Sequence, residues 1–299
     1  MKADIHTHLW PADRTIPSLV KSFAAIGAET EYVMSPEGLL ESLGDIDMAV
    51  IATLSPGGRA SNTELESYHE YTAEQVKKYP DRFMAFCSAD PHDPEGSLPY
   101  IEDYIERRGF VGLKLHPNVQ EFYANDPGMF PIYERMQEYG LPVMFHTGGI
   151  GVMPFCDKFG RCEYLDEVAC RFPDMAIIMG HAGRGNYTET ASILRKHPNV
   201  YADISANSAR MPGQEHGILA ELVKTVKLWS GSVDKLLFGS DYPYYFPNKT
   251  VELLKRLGTS APESISEEDV YKILEVNAGK FIEKHVLPNK RIDTTGSYC

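Results

Sequence analysis

Eight short apolar runs, each followed by a stretch of helical length, recur along the 299 residues and constrain the fold more than any other feature. They are KADIH (2–6), DMAVIAT (47–53), RFMAFCSA (82–89), FVGLKLH (110–116), LPVMFHT (141–147), MAIIMGH (175–181), NVYADIS (199–205) and KLLFGSD (235–241). Successive run ends are 47, 36, 27, 31, 34, 24 and 36 residues apart. A strand–helix–strand unit needs about 30 residues, so each interval holds one helix and little more. The runs are mostly continuous rather than alternating, which suits parallel strands covered on both faces.

Helix signals occupy the intervals. Asn62 to Lys78 opens with a capping residue and acids, closes on Lys77 and Lys78, and meets Pro80. Asp126 and Pro127 start a helix that stops at Gly140. Tyr164–Phe172 and Thr188–Lys196 stop just before Pro173 and Pro198, and Ser266 opens another with Asp269 in its first turn. No linker or composition break divides the chain. The prediction is a single-domain α/β protein, a (β/α)8 TIM barrel over residues 1–284, with 285–299 as an exposed tail. An open doubly wound sheet is the alternative that the strand count leaves standing.

The formal charge of −13 argues against nucleic acid, whose binding needs a clustered basic footprint. Apolar runs such as MAVIATL (48–54) are far shorter than the roughly 20 residues that cross a bilayer, and MKADIHTHLW lacks the features of a secretory signal. A cytoplasmic protein acting on a small molecule is expected, with neither membrane nor nucleic acid as partner. Five cysteines without a CxxC pair read as ordinary reduced thiols.

Barrel enzymes place their chemistry at the C-terminal ends of the strands. Here those ends carry ligand-type residues: His6 and His8, Lys114 and His116, His146, His181 and Asp241. In an extended chain residues i and i+2 face the same side, so His6 and His8 can grip one cation. Imidazole and carboxylate suit zinc, and also manganese or iron. His69, His92, His197, His216 and His285 lie in helices or loops and read as structural. Arg161, Arg184 and Arg210 follow strands five to seven and offer forks for a carboxylate. Trp10, Phe122, Phe155, Tyr242, Tyr244 and Tyr245 fall on the same presumed face, either as pocket walls or as loop packing.

The ordered set DIHTH, GLKLHP, FHTG, GHAG and FGSDYP, with Asn277-Ala278 near the end, resembles the amidohydrolase superfamily. More narrowly it resembles the group that includes aminocarboxymuconate semialdehyde decarboxylase, from Asp4 to about Phe281. That resemblance implies a divalent ion, zinc or else manganese, on His6, His8, His146 and Asp241, with His181 as acid/base or carbonyl-polarising residue. FVGLKLH also resembles the urease-like segment whose lysine is carboxylated. In that case Lys114 would bridge two ions, and His146 and His181 would hold the second. Relatives in the group leave a homodimer open; the sequence carries no interface signal.

A bound cation lowers the pKa of water to about 7. Asp241 could carry the proton of such a water and His181 could hold an oxyanion, with His116 and Arg184 binding substrate. The leading expectation is a hydrolase of a small, carboxylate-bearing ester, lactone or amide, favoured by Lys114. The alternative is a metal-dependent non-oxidative decarboxylase of a carboxylated aromatic or dienoic acid.

Overall fold

The computed structural model describes residues 1–11, 35–151, 153–209, 211–260 and 264–290. All eight predicted strands form, the first shifted by one residue and the others each shorter than its apolar run: β1 (Ala3–Thr7), β2 (Met48–Ala52), β3 (Phe83–Phe86), β4 (Leu113–Leu115), β5 (Val143–His146), β6 (Ile177–Gly180), β7 (Val200–Asp203) and β8 (Leu236–Leu237). They make two parallel ladders, β1-β2-β3 and β4 through β8 in sequence order. Backbone hydrogen bonds sew the two seams. Between β3 and β4, Cys87 N donates to Gly112 O at 2.9 Å and Val111 N to Ala85 O at 2.8 Å. Between β8 and β1, Ile5 N donates to Phe238 O at 3.0 Å and Asp241 N to His6 O at 2.8 Å. The result is a closed (β/α)8 TIM barrel.

Among the described residues the α-helices are α1 (Pro36–Leu43), α2 (Asn62–Lys78), α3 (Pro94–Glu106), α4 (Pro117–Gln120), α5 (Phe130–Tyr139), α6 (Glu163–Arg171), α7 (Tyr187–Lys196), α8 (Gly217–Ser230), α9 (Pro247–Ser260), α10 (Glu267–Tyr271) and α11 (Ala278–His285). The cap of α2 is Ser61, one residue before the expected Asn62. Its hydroxyl accepts from Glu64 N, and the Glu64 carboxylate accepts from Ser61 N. Asp126 starts a short 3₁₀ turn, Pro127–Met129, that feeds α5, and Gly140 ends it at φ 65°. Ser266 and Asp269 form a second capping box on α10.

Alternate strand residues enter different cores, as the two-residue period requires. Val143, Phe145, Ile177 and Met179 join the larger cluster with the helices, whereas Met144 and Ile178 join the smaller one with Val50, Phe86 and Leu237. His146 shares the Met144 face of its strand. Phe281 and Ile282 of α11 complete the smaller cluster. The chain stays on the barrel beyond α11: Val286 is buried, and Asn289 Nδ2 donates to Gly140 O at 2.8 Å. Within the expected tail, Val286 and Asn289 thus pack on the barrel while Leu287 is exposed; residues 291–299 lie outside the described residues. No described helix is long and apolar enough to cross a membrane.

Candidate metal centre

His6 lies at the end of β1, fully buried among polar groups. Its Nδ1 donates to Asp203 Oδ2 at 2.9 Å, which leaves the Nε2 lone pair to face the site. His8 is fixed in the same way: Nδ1 donates to Ala52 O at 2.6 Å. Its Nε2 then lies 3.3 Å from Asp241 Oδ1, and His6 Nε2 lies 3.8 Å from the same oxygen. One ligand atom each from His6, His8 and Asp241 fall within 4.8 Å of one another.

The other strand ends bring three more imidazoles alongside. The His181 ring stacks on His6 with centroids 4.8 Å apart, and the His146 ring meets His181 edge-on at 4.6 Å. His116 stacks on His146 at 3.8 Å. His146 Nε2 is buried and has no hydrogen-bond partner among the described residues. A buried polar atom without a partner costs about 1–3 kcal/mol, so an orphan beside converging lone pairs marks a place for a ligand. The donor set is imidazole and carboxylate with no thiol, which fits a divalent zinc- or manganese-type ion.

Lys114 reaches the same point from β4. It is 1% exposed, and its Nζ donates to His6 Nε2 at 2.8 Å. A cation and this hydrogen bond exclude one another, since both use one lone pair. Burial pulls the Lys114 pKa down to about 8, against the upward pull of Asp203 and Asp241. Burial also holds His6, His116, His146 and His181 well below the ordinary imidazole value, and the Lys114 charge adds to this in all four. Neutral imidazoles are the form that binds metal.

The backbone is shaped to deliver these groups. His181 and Asp241 both take left-handed conformations, φ 64° and 71°, which non-glycine residues adopt at a cost. Two glycines let the chains close in. A Cβ on Gly180 would come within 3.2 Å of His6 Cε1, and one on Gly239 within 3.1 Å of His6 Cβ.

Other expectations divide. Arg184 sits at the β6 turn, close enough for its charge to depress His146 and His181, and its guanidinium has no ion pair or hydrogen bond among the described residues. Arg161 instead pairs with Glu163 at 3.2 Å on the surface, and Arg210 lies outside the described residues. Trp10 stacks on His8 at 5.3 Å and Tyr244 meets both rings, whereas Phe122 and Tyr242 belong to the core. His116 Nδ1 accepts from Val119 N at 3.3 Å, which leaves Nε2 for another partner. His69, His92, His197 and His285 each bond elsewhere in the structure.

Sequence reasoning passed over Asp203 and Ser205. Both lie near the end of the predicted seventh run, NVYADIS, where the strand-end rule admits them as candidates but assigns them no role.

The family model described as "Amidohydrolase" matches residues 3–283. The chain is 20% identical to 2-amino-3-carboxymuconate-6-semialdehyde decarboxylase of Dictyostelium discoideum, over 94% of each chain. It is 24% identical to gamma-resorcylate decarboxylase of Polaromonas sp. strain JS666, over 58% of this chain and 60% of the relative. A dihydroxybenzoic acid decarboxylase from Polaromonas sp. JS666, solved with manganese and 2-nitroresorcinol, superimposes with TM-score 0.70 at 18% identity, over 96% of this chain and 98% of that one. These likenesses to decarboxylases overturn the expectation of a hydrolase. With the family model spanning nearly its whole length, the chain belongs to the amidohydrolase family, whose members are expected to use a divalent metal.

Proposed function

We propose that this protein is a metal-dependent, non-oxidative decarboxylase of a small carboxylated aromatic or dienoic acid. The observation that carries the reading is the end-to-end likeness to 2-amino-3-carboxymuconate-6-semialdehyde decarboxylase. The local chemistry agrees with it. His6, His8, His146 and Asp241 would hold one ion, zinc or alternatively manganese. When bound, the ion supplies fixed positive charge against which an oxygen of the substrate is oriented.

The rest falls to the chain's own side chains. The Arg184 guanidinium offers a planar fork to a carboxylate. Trp10 and Tyr244, whose rings meet at 5.8 Å with their planes 55° apart, give an apolar side for a conjugated substrate. His116 Nε2 and Asp241 would hold substrate oxygens and protons. His181 Nε2 delivers a proton to the carbon that bears the carboxylate. That carbon gains a C–H bond, and the bond to the carboxylate then breaks. Its electron pair restores the conjugated system as carbon dioxide leaves. Solvent returns the proton to His181, so no oxidant or reductant is needed. Burial disfavours its charged form, so a His181 that has taken up a proton gives it up more readily than an exposed imidazolium would.

The test offers the metal-loaded protein a panel of ortho-hydroxylated benzoates and carboxylated dienoic acids. The expected result is one carbon dioxide per product, with deuterium from heavy water at the vacated carbon, and loss of activity on chelation. Turnover of the panel by hydration or base-consuming hydrolysis, with no carbon dioxide, would overturn the proposal.

A further inference from the structure

Asp203, at the end of β7, is fully buried and serves two imidazoles at once. Oδ2 accepts from His6 Nδ1. Oδ1 accepts from Ser205 Oγ, from Ser205 N at 3.0 Å and from His181 N at 3.1 Å. Ser205 Oγ in turn lies 2.7 Å from His181 Nδ1. A hydroxyl has one proton to give, and a carboxylate has none. The Ser205 proton therefore points at Asp203, and a lone pair points at His181. Nδ1 of His181 must carry the proton that meets this lone pair. Nε2 is left as the atom that faces the site.

The spacing that this relay needs is held from both sides. Asn207 Nδ2 donates to His181 O at 3.0 Å and to Ser205 O at 2.9 Å, which ties the end of β6 to the end of β7. The backbone is left-handed at both His181 (φ 64°) and Ala206 (φ 56°), and such strain persists only where surrounding contacts over-determine it.

We infer that Ser205 is a positioning residue: backed by Asp203, it keeps a proton on Nδ1 of His181 and reserves Nε2 for the proton that reaches substrate. This inference rests on the decarboxylase reading for the identity of the acceptor, but not for the arrangement of protons. Removal of the hydroxyl takes away its 3.3 Å contact with His6 Nδ1 but leaves the shorter direct Asp203–His6 bond at 2.9 Å in place, so the metal should stay. What changes is the partner of Nδ1, and with it the preference between the two neutral imidazole forms.

The experiment uses zinc-loaded protein labelled with ¹⁵N at histidine, with the His181 signals identified by their loss in His181→Gln. In the unaltered protein Nδ1 should show the protonated type of shift. Ser205→Ala should move His181 toward the other form or a mixture, and Ser205→Thr should restore the first. With substrate, Ser205→Ala should lower kcat about 10- to 100-fold, the range for losing a group that orients a site imidazole. KM should stay within about threefold and zinc content unchanged, with kcat recovered in Ser205→Thr. An unchanged His181 signal in Ser205→Ala would overturn the inference, as would loss of zinc in step with kcat. The spectroscopic arm needs no substrate. A shifted signal in a protein that releases no carbon dioxide would sink the decarboxylase reading and leave the relay standing.

Discussion

An imidazole ligand is only as good as the hydrogen bond on its other nitrogen, and His6 and His8 both have that nitrogen committed, to Asp203 and to Ala52 O. His6→Ala or His8→Ala should therefore lose the metal altogether, read as metal per chain after dialysis. Full occupancy in the double variant would exclude the pair as ligands. Asp241→Asn removes a proton acceptor while keeping shape. It should cost kcat at least about 100-fold, in the range for general acid–base groups, with KM within a few-fold. Near-normal turnover with metal bound would remove Asp241 from the proton path. Lys114→Ala should keep one equivalent of metal and raise KM for a carboxylate substrate about tenfold, as loss of an ammonium that meets an anion would. A second equivalent in the unaltered protein, dependent on bicarbonate and lost in Lys114→Ala, would instead establish a carboxylated lysine and two ions. These residues were legible because a polar group at the end of an apolar strand is conspicuous. Asp203 and Ser205 were not picked out, because aspartate and serine are common in loops. Their meaning appears only when strand β7 is laid against β1 and β6, a pairing that no local pattern records.

Helix α2 spans Asn62–Lys78 as its sequence signals imply, and only the cap falls one residue earlier, on Ser61. Both Ser61 and Asn62 are capping types, and the difference is made by Glu64, which is three residues beyond Ser61 and completes the reciprocal pair. Ser61→Ala should destabilise the protein by about 1 kcal/mol. For a chain of this size that is a fall in Tm of about 2 °C, measured by calorimetry at fixed metal concentration. A Tm unchanged within error would mean that the first turn is held by packing alone. Helix α3 shows why other elements were harder to read. PEGSLPYIEDYIE contains Gly96 and Pro99, two residues that argue against a helix, yet Pro94–Glu106 is helical. Asp93 caps it by accepting from Gly96 N, and the buried Ile101, Tyr104 and Ile105 anchor it. Tertiary burial there outweighs propensity. The strands, by contrast, were all foreseen in order, since each must be buried on both faces and so reads as an apolar block.

At the scale of the whole barrel, closure joins residues at opposite ends of the chain, as in the bond from Ser240 N to Asp4 Oδ1 at 3.0 Å. Burial at such seams also sets how stability depends on pH. His69, on α2, accepts from Ser88 N at 2.8 Å and packs on Tyr104, with burial lowering its pKa from 6.5 to about 3. The folded protein thus leaves His69 neutral while the unfolded chain takes up a proton below pH 6.5. Its contribution is fully present above that pH and is lost as pH falls toward about 3. Asp4 works the other way: burial raises it from 3.8 to about 7, so its contribution is present at low pH and lost as pH rises through 7. Between pH 4 and 6 the unfolded chain holds about one more proton at His69, and the folded chain one more at Asp4. To isolate the first, unfolding free energy should be measured by denaturant across that window for the unaltered protein and for His69→Gln. Glutamine can still accept from Ser88 N but does not titrate. The unaltered protein should lose stability relative to the variant by about 1.4 kcal/mol per pH unit as pH falls, the value for one proton. Parallel pH profiles for the two proteins would show that His69 is charged in the folded barrel, contrary to its burial.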